Sequence, residues 1–248
     1  MQFMNAASVV YLKTARTDDT GEARVLQELG AALRRVPPKP PGIAACTGYL
    51  QQDAVRLAAW SAGVRALEHL RHALFFAPGR EQEMTALWRE SLACACFARV
   101  LAVETQSNAS LLTVAGLLQR AVDLVALRAL AAAELASGKR LEGLVMQELA
   151  AARDEDLESR VISHWALSLP LGALLRGWRI DQPNATRAID VRVLMLAQAL
   201  AAERVRESVT PPSLVESAAA DLDLPMSLVE KARSAGSGIA ELLKLLTP

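Results

Sequence analysis

The run from Leu111 to Ala136, LLTVAGLLQRAVDLVALRALAAAELA, is apolar around most of its circumference when wound as a helix. A segment with no polar face needs other elements packed around it, so this stretch predicts a central helix inside a bundle. The rest of the chain can supply those elements. Alanine and leucine dominate, β-branched runs are short, and apolar residues recur at three- and four-residue spacing, which predicts an almost wholly helical protein. Aromatic residues make up only 4% of the 248 residues, and no stretch reads convincingly as a strand. A chain of this length can bury a substantial core.

Charge narrows the partners. Lys+Arg and Asp+Glu are both 27, so the formal net charge is +0 and no global field draws the protein to nucleic acid. The three cysteines, Cys46, Cys94 and Cys96, have neither the number nor the spacing of a disulfide framework, which fits a reducing cytoplasm. The opening MQFMNAASVVYL lacks the basic leader of a secretory signal. The longest stretch without a full charge, VISHWALSLPLGALL, falls short of the roughly 20 apolar residues that a membrane-spanning helix needs. The expectation is a soluble, cytoplasmic protein with no membrane partner.

Along the chain, EARVLQELGAALRR reads as a helix stopped by VPPKPPG, and DAVRLAAWSAGVRALEHLRHALFF as one or two helices ended by APGR. TALWRESLACACFARVLAVE carries an apolar stripe at Trp88, Leu92, Cys96 and Val100, and ETQSNAS ends it with capping-type residues. Gly138 is expected to close the central helix. After a bundle ending near residue 205, a small helical tail is expected from about Leu214 to Leu246, broken near Pro225 and Gly236. The resulting division is an N-terminal segment and connector at 1–50, a helical domain at 51–205 and the tail at 206–248.

Few residues point to chemistry. On a helix Cys94 and Cys96 face roughly 200° apart and cannot grip one metal together. His69 and His72 share a face, a possible metal-ligand spacing, but beside Glu68 and Arg71 they read as two half-exposed polar residues. His164, beside Trp165, reads as a packing residue. There is no phosphate-binding glycine loop and no G-x-S-x-G elbow. RDEDLES reads as a solvated helix surface, and PPKPP as a rigid linker.

The segments LWRESLACACFARVLA, AGLLQRAVDLV, HWALSLPLGALL and RVLMLAQALAAE occur in an order and at a spacing that resemble the HDOD family, the non-catalytic bacterial relatives of HD-type metal phosphohydrolases. The upstream Gly63-Val64-Arg65-Ala66-Leu67 run adds to the likeness, which extends over about residues 50–205. The resemblance implies an all-α, HD-like multi-helix bundle. It also aligns Glu90 with the first metal-binding histidine of the catalytic relatives, Gln119 and Arg120 with their His-Asp pair, and Gln198 with their last aspartate. None of the four residue types is kept, and an arginine repels a divalent cation. No catalytic, cofactor-binding or metal-ligating residue is therefore expected.

Those four residues are expected instead to form an ionic or hydrogen-bonded cluster at a former metal site. Glu90 is the candidate partner of Arg120, Asp123 the local alternative, and a solvent-facing Arg120 the third reading. By the same resemblance the chain is expected to be a regulatory protein of bacterial signal transduction that binds other signalling proteins, with homo-oligomers left open. Two other readings stand beside it. One is a module that senses a nucleotide signal through Arg120; the other is a metal-dependent phosphohydrolase that recruits His69, His72 and His164.

Overall fold

The computed structural model describes residues 76–138, 155–165, 167–177, 188–205 and 212–246. The expectations for the N-terminal helix, the Pro-rich connector, Cys46, Gly63–Leu67, His69 and His72 lie outside these residues. The described part is all-α and strand-free, as the periodicity predicts. Among the described residues there are nine helices: α1 (Glu81–Glu104), α2 (Ala109–Leu118), α3 (Ala121–Ser137), α4 (Glu155–His164), α5 (Leu169–Gly177), α6 (Ile189–Val205), α7 (Pro212–Asp221), α8 (Met226–Ser234) and α9 (Gly236–Leu246). They fall into two compact units, one with residues 76–84 and 121–166, the other with 85–120 and 167–248.

In the first unit, α3 packs against α4 around Leu124, Leu127, Leu130, Val161 and Trp165. Ahead of it, Ala77, Pro78, Gly79 and Arg80 form a turn closed by a 3.0 Å bond from Arg80 N to Ala77 O. Proline sits at its second position and Gly79, with φ of 78°, at its third, the combination a type II turn requires. The turn delivers the Arg80 side chain into the interior. Its Nε donates to Glu134 Oε2 at 3.0 Å, Nη2 donates to Glu134 Oε1, and Nη1 donates to Glu83 Oε1 at 2.7 Å. A fork held by two carboxylates keeps the buried cation charged, the Glu134 bond outweighing the loss of water. At its far end α3 stops at Gly138, as expected, whose N–H bonds Glu134 O at 2.8 Å.

The second unit is built on a helical hairpin. From Glu90 to Phe97 every α1 residue except Cys96 is buried. Of the expected stripe, Trp88 and Leu92 are buried while Cys96 and Val100 are half-buried, because the face that meets protein is broader than one stripe. α1 ends with Gln106 at φ 56°, Ser107 N bonding Ala102 O at 2.9 Å and Gln106 N bonding Val103 O at 3.4 Å. These two bonds satisfy carbonyls that the last turn leaves open. Asn108 then caps α2, its Oδ1 accepting from Leu111 N at 2.9 Å, as the run of capping residues predicts.

α2 packs against α5 and α6, and α6 in turn against α5 and α7. Every residue from Leu112 to Leu118 is buried. The stretch from Ala109 to Ser137 is long and apolar enough to cross a membrane by length and composition, but 72% of its most apolar window is buried inside protein, as a core helix would be. One expectation needs correction here: the central helix is not continuous. Its ladder lapses at Gln119 and Arg120, so the polar pair lies between α2 and α3 and not within a helix.

The C-terminal tail breaks where Pro225 and Gly236 predict, and it belongs to the second unit. Arg192 Nη1 on α6 donates to carbonyls of the turn that follows α7, Leu222 O at 2.9 Å and Asp223 O at 3.1 Å. Arg233 on α8 bridges Glu203 of α6 at 3.0 Å and Glu216 of α7 at 3.2 Å, and Lys231 pairs with Glu104 at the end of α1. Val215, Ala219, Leu222, Val229 and Ala232 supply the apolar part of the docking.

Candidate functional site

The site begins with a missing side chain. A Cβ on Gly116 would lie 2.7 Å from Ala95 Cα, 2.8 Å from Ala95 N and 3.0 Å from the Cys94 carbonyl carbon, so α1 and α2 cross backbone to backbone at this point. About one turn farther from the connecting loop stand Glu90, on α1, and Arg120, just beyond the end of α2. There Arg120 Nη2 meets Glu90 Oε1 at 3.0 Å, with side-chain exposures of 14% and 6%. The close crossing brings into register two charged groups that an apolar interior would otherwise reject.

This geometry sets aside the solvent-facing reading of Arg120: the guanidinium is largely enclosed, and Glu90 is a carboxylate partner. Gln119 is also buried, at 6% exposure, and neither of its amide atoms has a hydrogen-bond partner among the described residues. Gln198 is half-buried on α6, a helix that packs against α2, and no hydrogen bond joins it to the other three among the described residues. What is seen is an ion pair with a buried amide beside it, not a four-member bonded cluster. Asp123 is half-buried on α3.

Cys94 senses the pair. Burial first, and then the negative charge of Glu90, push its thiol far above the ordinary value, while Arg120 pulls the other way. Burial also pushes Cys96 up, to about 11. Unfolded thiols titrate near 9.0, so from there upward the unfolded chain sheds protons that the folded chain keeps. The thiols' stability contribution is therefore fully present below that value and declines as pH rises toward 11. Urea titrations at about pH 8 and about pH 10 should show a loss of stability that is smaller in Cys94→Ala than in the parent. Equal losses in both proteins would remove Cys94 as a source.

Other candidates take lesser places. His164 ends α4 with its side chain exposed. Among the described residues no group of three or more His, Cys, Asp or Glu side chains could hold a metal ion. At the position that the HD-type likeness assigns to metal, the donor set does not fit a divalent cation: Glu90 is the one carboxylate of the four, and a fixed guanidinium already occupies it. Sequence reasoning missed the buried Arg80 fork altogether, since an arginine in APGR reads as part of a turn. It also missed Gly116, although a glycine inside an otherwise apolar helical run is a signal for close backbone approach.

Comparison with curated proteins and with solved structures gave no match for the chain. The family model described as the HDOD domain matches residues 66–181. That span takes in α1 to α5 with Glu90, Gln119 and Arg120, and it stops short of α6 and Gln198. The helical architecture and this match agree: residues 66–181 match the HDOD domain, a helical family.

Proposed function

We propose that this protein is a non-catalytic regulatory component of bacterial signal transduction, acting in the cytoplasm by binding other proteins through its HDOD domain. The observation that carries the reading is the Arg120–Glu90 pair, 3.0 Å apart, at the position where the HD-type likeness puts metal ligands. An arginine stays protonated at any working pH, so it fills by itself the electrostatic role that a bound cation would play toward Glu90. The same pairing weighs against a nucleotide-sensing role for Arg120, whose charge Glu90 already matches. With the ligand set replaced, no water-activating centre is expected here, and the domain's work falls to its surfaces.

The test is the metal content of the purified protein, by elemental mass spectrometry, before and after incubation with manganese, iron and zinc. Less than a tenth of an equivalent of each metal is expected (about 0.1 or lower, well under the roughly stoichiometric loading of a real site). Retention of one or two equivalents, together with hydrolysis of a phosphodiester, would overturn the proposal.

A further inference from the structure

Among the buried side-chain atoms of the second unit that find no hydrogen-bond partner among the described residues are Ser91 Oγ and both Oε1 and Nε2 of Gln119. Ser91 is fully enclosed and Gln119 nearly so. Each is the chain neighbour of one member of the Glu90–Arg120 pair, whose side chains meet at 3.0 Å. A buried donor or acceptor left dry lowers a folding equilibrium constant by about tenfold or more, and an apolar side chain of glutamine's size at position 119 would avoid that loss.

The surroundings leave few candidates to satisfy these atoms. Between Leu112 and Leu118 the one polar side chain is Thr113, and its hydroxyl is committed to Ala109 O at 2.6 Å. Between Leu92 and Ala95, α1 offers alanine and the protonated thiol of Cys94. A cation does not suit a place that Arg120 adjoins and where Gln119 Nε2 points a donor. A small neutral molecule that both donates and accepts does suit it. Buried waters typically make about three hydrogen bonds to polar groups otherwise unmatched, and three such atoms are present.

We propose that the C-terminal end of α2 carries an internal hydration site, in which a resident water is hydrogen-bonded to the Gln119 amide and to Ser91 Oγ beside the Glu90–Arg120 pair. The water accepts from Gln119 Nε2 or donates to Oε1, and the Ser91 hydroxyl rotates to complete the network. A glutamine suits the end of this apolar helix because its amide holds this water. The site depends on burial and polar matching alone, so it stands whether or not the regulatory role does.

The deciding experiment is water-to-amide cross-relaxation by NMR on the full chain, with the side-chain NH2 of Gln119 assigned by its disappearance in Gln119→Leu. A cross-peak with the sign of a long-lived water is expected at those protons. Its absence overturns the site. Urea unfolding gives a second readout: Gln119→Leu and the more flexible Gln119→Met are expected to lower the folding equilibrium constant about tenfold. The effect of Ser91→Ala should shrink in either background, because the shared water has gone. Variants that fold about tenfold better than the parent would show a dry amide and also overturn the site. Should neither leucine nor methionine be tolerated, the cross-peak in the parent protein decides alone.

Discussion

Replacing Arg120 by methionine is expected to lower stability by about 3–5 kcal/mol, and replacing Glu90 by methionine to do so by a similar amount, whereas the double replacement costs far less than the sum. The reason lies in what each single change leaves behind. Glu90 is more deeply enclosed than Arg120, so Arg120→Met strands a carboxylate among Leu92, Cys94 and their neighbours. A stranded guanidinium cannot be discharged, though the partly exposed Arg120 can turn part of its head toward water. With both residues gone, methionines fill the space without a charge to desolvate. Urea denaturation of the four proteins gives the coupling energy. Additive losses would mean that the two side chains act separately and that the pair is not a unit.

Gly116→Ala is expected to destabilise by about 2 kcal/mol net, and Gly116→Val by more. In an exposed helix the alanine change would gain up to about 1 kcal/mol from propensity, so the sign of the result tests the geometry directly. The added carbon would meet backbone atoms of Ala95 and Cys94, which cannot rotate aside as a side chain can, and α1 and α2 would have to separate. Separation also lengthens the Glu90–Arg120 contact one turn away. Combining Gly116→Ala with Arg120→Met should therefore cost less than the two losses added together, because a pair already loosened has less left to lose. A stabilising Gly116→Ala would mean that the helices are not in backbone contact.

How far the sequence could be read depended on the range of the interaction. Local signals were legible: the helical period, the Asn108 cap, the stop at Gly138 and the breaks at Pro225 and Gly236 are each decided within a few residues. The lapse at Gln119 was not, because neither Gln119 nor Arg120 breaks a helix and what they meet there comes from α1. The Arg80 fork was invisible for the same reason, its partner Glu134 lying 54 residues away on another helix. Periodicity underestimated α1, where Cys94 and Phe97 are buried as fully as the expected stripe at Trp88 and Leu92. The pairing of Glu90 with Arg120 became a candidate only through family likeness, since composition and spacing do not choose between a partner on the neighbouring helix and Asp123 one turn along the chain.

The α1–α2 hairpin also bears on the order in which the second unit assembles. Its two helices are adjacent in sequence and joined by a short capped loop, so the entropy of bringing Gly116 onto Ala95 is small. The helices that cover α2, namely α5 and α6, enter the unit only after the chain has passed through the whole of α3 and α4. Among the described residues of this unit, the hairpin is thus the part that can form first during synthesis, before the α5 and α6 faces that pack against α2 emerge. Over that interval α2 lacks the packing that α5 and α6 supply, and the demand on chaperones should be greatest before they arrive.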